Sequence, residues 1–153
     1  MREVLLSLHA YHLGDPPSKS VCELDQCPIH QWLLRSDDLQ PLDTTFDDAL
    51  KRIEQTGAYV EPDGSFTRGG RSHGTSWSVG GMLYDEGSRL AYVDVTGKAP
   101  TNVWKEMMEA ILPSPETDQA FTLVVYFKAE GVFADVSDFL DWLSQVQSEF
   151  DQS

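Results

Sequence analysis

The 153-residue sequence predicts one α+β domain, a two-layer sandwich of a mainly antiparallel sheet of about five or six strands with three main helices. Two patterns predict it. Apolar residues recur at helical spacing in three separate segments, and residues 58–96 read as a β-meander of short alternating strands broken by turn residues. A third observation sets the domain count: no internal repeat, coiled-coil heptad run or low-complexity tract divides the chain, so 1–153 forms a single domain around one core.

Residues 3–8 supply the first strand, short and apolar. A long irregular loop is expected over 10–43, because Gly14, Pro16, Pro17, Pro28 and Pro41 interrupt any long helix there. Within it, Pro28 can start a short helix through Ile29–Leu34. The first main helix follows, with Phe46, Ala49, Leu50 and Ile53 on one face and Asp43 or Thr44 as its cap. Asp47 and Asp48 suit its positive end, Lys51 and Arg52 its negative end, and Gly57 closes it.

In the meander, Pro62-Asp63-Gly64 and Asp85-Glu86-Gly87-Ser88 are turns. Trp77, Val79, Gly81 and Leu83 alternate on one face, and Ala91, Val93 and Val95 alternate against Tyr92 and Asp94. Val103, Trp104, Met107, Met108, Ile111 and Leu112 keep a helical period until Pro113. Residues 120–127 are apolar on both faces and belong in the middle of the sheet. The last helix begins near Ser137 and buries Phe139, Leu140, Leu143, Val146 and Phe150.

Eleven bases against twenty-five acids give a net charge of −14, which repels phosphate backbones and anionic lipid and attracts basic protein surfaces. Nucleic acid and membrane are therefore not expected partners. Glu3, His9 and His12 break up the N-terminal apolar run, so no signal peptide is expected, and no apolar stretch reaches the length of about 18 residues that a bilayer requires. Two cysteines fit a reducing compartment, and the expected location is cytoplasmic.

Three groups of residues carry candidate chemistry. Cys22, Cys27, His30 and His12 (or His9) have the donor types of a tetrahedral Cys2His2 zinc site, although the C-x4-C spacing is wider than the usual C-x2-C knuckle; their alternative is packing in a loop. Arg68, Arg71 and His73 flank glycines that would let a backbone cradle an anion, or simply form a hairpin tip. Asp138, Asp141 and Glu149 lie opposite the apolar face of the last helix and form an acidic stripe for a basic partner, or a solvated surface. No esterase elbow, zincin or dinucleotide motif occurs, so enzyme activity would rest on an unrecognised site.

The expectation drawn from charge is an acidic interaction or regulatory module that neutralises a basic partner protein. Toxin-neutralising immunity proteins are small acidic α+β proteins of similar build, a functional analogy without a shared motif. The alternatives are a metal- or small-ligand-binding domain organised by loop 10–43, and an enzyme. If helices cover one sheet face only, Met82, Tyr84 and Tyr92 on the other favour a homodimer through the sheet; if both faces are covered, they are core.

Overall fold

The computed structural model describes residues 1–12, 17–112 and 121–152, leaving aside the side chains of His12, Ser36, Phe121, Asp151 and Gln152. In chain order the elements are β1 (Val4–His12), β2 (Lys19–Leu24), β3 (Cys27–Trp32), a 3-10 turn (Ser36–Asp38), β4 (Leu42–Thr45), α1 (Phe46–Gln55), β5 (Tyr59–Val60), β6 (Ser65–Ser72), β7 (Thr75–Glu86), β8 (Arg89–Lys98), α2 (Thr101–Ile111), β9 (Phe121–Phe127), β10 (Val132–Asp135), α3 (Val136–Val146) and α4 (Ser148–Gln152). The ten strands form one antiparallel sheet in the order β2-β3-β10-β9-β1-β8-β7-β6-β5, with β4 joined to the end of β8.

This corrects the expected sheet of five or six strands. The additional strands are β2, β3, β4 and β10. The segment read as an irregular loop contains the β2–β3 hairpin, and the helix expected from Pro28 is strand β3. Asp25 and Gln26 close that hairpin with φ of 51° and 65°, a left-handed turn made without glycine and so invisible to a search for Asn-Gly or Asp-Gly. Proline is tolerated at position 28 because β3 there pairs only with β2, and its link to β10 is at Trp32. Strand β10 is four residues long and ends on Asp135, whose side chain already caps α3 by accepting from the Asp138 N–H, so its strand signal merges with a helix start.

The three main helices form where their patterns predict, except that the last stops at Val146 and half-buried Phe150 falls in the separate α4. α1 is capped by Thr45, whose hydroxyl accepts from the Asp48 N–H, one residue beyond the expected cap. Arg52 near its end donates to the Ala110 and Ile111 carbonyls at 2.7 and 3.2 Å and to Thr44 Oγ1 at 2.8 Å, so a cation from α1 satisfies the last turn of α2. The Pro113 stop and Ala120 lie outside the described residues.

Alternation and register sort the sheet into two faces. Leu6, Leu8, Val93, Val95, Val125 and Phe127 share one face with Ala49, Ile53, Trp104, Met107, Phe139 and Trp142 of the helices, and together these form the core. The Phe127 ring meets Phe139 and Trp142 of α3 at 5.7 and 5.3 Å. Cys22, Leu24 and Cys27 extend this core toward the β2 edge. Val124 and Trp32 are equally buried yet stand outside that cluster, because they project to the other face.

Candidate functional site

The face that the described helices leave uncovered carries the chain's most unusual surface. It is built by the residues between the core positions: Leu5, Ser7, His9 and Tyr11 of β1, Trp32 of β3, Met82 and Tyr84 of β7, Tyr92 and Asp94 of β8, Val124 and Tyr126 of β9, and Phe133 of β10. Register places Tyr84 opposite Tyr92 and Phe133 opposite Tyr126. Tyr84 and Tyr92 stack at 4.5 Å, and Tyr92 stacks in turn on His9 at 5.7 Å, both with planes 16° apart. Three rings thus form a ladder across β7, β8 and β1. Tyr126 lies 4.6 Å from Phe133, and Tyr11 meets Trp32 edge-on at 5.4 Å.

Within this face Ser7 Oγ and His9 Nε2 hydrogen-bond at 2.8 Å. Burial pushes the His9 imidazole below its ordinary pKa, with Asp94 opposing and Lys128 reinforcing the shift. A serine beside a neutral histidine suggests nucleophilic chemistry, but both stand on a flat sheet. The ladder amides around them point along the sheet plane rather than above it, so they offer no donors to an oxyanion over Ser7. The arrangement serves to satisfy a nearly buried hydroxyl.

Each lysine on the central part of the same face has an acid beside it. Lys128 donates to Asp94 at 3.1 Å, Lys98 lies 3.9 Å from Glu3, and Lys19 bridges Asp135 and Asp138 at 3.2 Å each while covering the Trp32 ring. On the central strands Lys19, Lys98 and Lys128 thus stand against Asp135, Glu3 and Asp94, while Asp138 beside Lys19 and exposed Glu23 on β2 add further acid toward the edge.

One concentration of that excess forms where β4 joins β8. Arg89 pairs with Asp43 at 2.8 Å and lies opposite Glu86 in the hairpin register, with Thr45 on its other side. Exposed Asp47 and Asp48 follow in the first turn of α1, and Asp85 precedes Glu86. Six acids with Asp63, whose neighbour Gly64 packs against Phe46 and Leu83, therefore surround one end of the molecule. The acids of residues 43–48 and those of the 85–86 turn are distant in sequence, and the β4–β8 pairing brings them together.

The candidate residues from sequence are dispersed. Cys22 and Cys27 point to the helix-covered face, while His30, opposite Val21, is exposed on the other; the His12 side chain lies outside the described residues. Burial pushes the Cys22 thiol up, away from the thiolate that ligation needs. Among the described residues no three His, Cys, Asp or Glu side chains gather as metal ligands would.

Arg68 turns toward the helices, pairing with Glu106 at 2.8 Å and lying over Trp77. Arg71, on the opposite face of the strand, donates to the Gly74 carbonyl, and His73 occupies the hairpin turn at φ 52° with its ring against Phe150. The three do not converge.

Asp138 is held by Lys19 and Asp141 is exposed, but α3 ends before Glu149, which belongs to α4, so they do not form one continuous stripe. A cleft of about 190 Å³ lined by Arg2, Glu3, Val4, Leu5, Phe127, Ala129 and Glu130 is smaller than the usual 300–1,000 Å³ of small-molecule sites. No helix among the described residues is long and apolar enough to cross a membrane. Comparison of the chain with protein-family models, curated proteins and solved structures gave no match.

Proposed function

We propose that the protein is an acidic interaction module that captures a basic protein, using the acid-rich end around Arg89 as its contact surface. The observation that supports this reading is the segregation of charge: the central strands of the open sheet face pair their lysines with acids, and most of the excess of −14 lies outside them. A basic partner is steered by that field and settles where acids are densest, at Asp43, Asp47, Asp48, Asp85 and Glu86. Exposed carboxylates give such a complex its association rate and orientation more than its affinity, so binding is strongly dependent on salt.

The test is titration with poly-L-lysine as a basic probe. Two variants each lose three charges: Asp47→Asn/Asp85→Asn/Glu86→Gln at the acid-rich end, and Asp138→Asn/Asp141→Asn/Glu149→Gln on α3 and α4. The first should weaken binding at least tenfold, about 1.4 kcal/mol, and the second less than threefold. Equal losses would mean that the probe senses only net charge and would overturn the assignment of the surface.

A further inference from the structure

An antiparallel sheet with helices on one face ordinarily turns polar side chains toward water on the other. Here the other face holds the Tyr84–Tyr92–His9 ladder, the Tyr126–Phe133 pair, Tyr11 and a buried Trp32. Of the five large apolar side chains that stand out into solvent among the described residues, four fall on this face by register: Leu5 at 46% exposure, Val21 at 58%, Tyr59 at 68% and Tyr84 at 38%. Leu33, the fifth, follows the end of β3.

The charge pattern identifies what covers it. A chain of net charge −14 repels its own copy through most of its surface, and a basic partner is drawn to the acids rather than to a neutral patch. The open face alone combines apolar area with lysines that each already have an acid beside them: Lys19 with Asp135, Lys98 with Glu3 and Lys128 with Asp94. Two such faces meet with little net repulsion across their central strands, and most of the uncompensated acids lie outside those strands.

The size is also suitable. From β3 to β7 six adjacent strands, about 4.8 Å apart and about seven residues long, span roughly 24 by 23 Å in projection before side-chain relief is added. That is the scale of the roughly 800 Å² per partner buried in a standard interface. We infer that this face is a self-association surface, on which a second copy of the chain packs sheet against sheet about a two-fold axis. Tyrosine and histidine suit such a contact, since each buries a ring while keeping a polar atom for the partner.

The experiment is sedimentation or light scattering of the full chain over roughly 1 to 100 µM, the range in which modest interfaces dissociate. The expected mass at the upper end is twice 17.1 kDa. Raising salt from about 0.05 to 0.5 M should tighten the dimer at least threefold by screening the repulsion between the acidic outer surfaces, whereas it weakens the complex with a basic probe. The two readings therefore fail separately.

Leu5→Lys and Tyr84→Lys, both at exposed positions, should each raise the dimer Kd at least tenfold, and Leu33→Lys should leave it unchanged. A mass of one chain at about 100 µM in high salt overturns the inference, and so does equal disruption by Leu33→Lys. The salt series uses the unaltered chain, so the test stands even if a variant fails to fold.

Discussion

The Trp142 indole nitrogen donates to the main-chain carbonyl of Leu24 across 3.0 Å, joining the last main helix to the β2–β3 hairpin at the sheet's edge. The same ring packs edge-on against Phe127 and is 1% exposed. One side chain thus links two distant parts of the chain by both packing and a hydrogen bond.

Truncating it separates these contributions. Trp142→Ala removes a fully buried ring and should cost about 3–5 kcal/mol of unfolding free energy. Trp142→Phe keeps most of the packing but leaves the Leu24 carbonyl without its donor, and should cost about 1–2 kcal/mol. Denaturant unfolding measures both. A loss for Trp142→Phe as large as that for Trp142→Ala would mean that the hydrogen bond, not the ring, anchors the hairpin.

The hairpin was not legible in the sequence, and neither was the role of Trp142, for related reasons. Alternation states which residues of a strand share a face, so Val79, Leu83, Val93 and Val95 on the core side and Met82, Tyr84 and Tyr92 on the other follow from sequence. It does not state which strands are neighbours. β1 lies between β8 and β9, a placement made by pairing over long sequence distances, and only this brings His9 onto Tyr92. Helix positions were readable because α1, α2 and α3 each carry a sustained 3.6-residue period, with side-chain caps on α1 and α3 and Pro100 before α2. The hairpin lacked such a signal, having a non-glycine turn at Asp25-Gln26 and a proline inside β3.

Gly97 marks a close approach that its surroundings cannot relieve. Its φ is 148°, and a Cβ there would fall 2.2 Å from the Ser78 carbonyl oxygen of the neighbouring strand. Gly97→Ala combines an unfavourable backbone with a clash against main chain, and should cost about 3 kcal/mol or more. Gly87, in the β7–β8 turn at φ 66°, has open space around its Cβ position, so Gly87→Ala should cost only about 1 kcal/mol. Paired thermal unfolding of the two variants checks this order. Equal costs would show that conformation alone, without the inter-strand contact, sets the requirement for glycine at position 97.

His9 makes stability depend on pH in a definite direction. Its ring is partly buried between Tyr92 and the Ser7 hydroxyl, with Asp94 and Lys128 as the charged groups facing it. Burial holds its folded pKa below the ordinary 6.5, so above that value both folded and unfolded chains keep the imidazole neutral and its contribution is fully present. As pH falls through 6.5 toward the lowered value, the unfolded chain takes up the proton first, and stability is lost. His9→Gln preserves a polar partner for Ser7 but does not titrate. Denaturant midpoints measured from about pH 7.5 down to 5.5 should therefore fall less steeply for His9→Gln than for the unaltered chain. Parallel curves would place the acid sensitivity wholly on the carboxylates and remove His9 from the account.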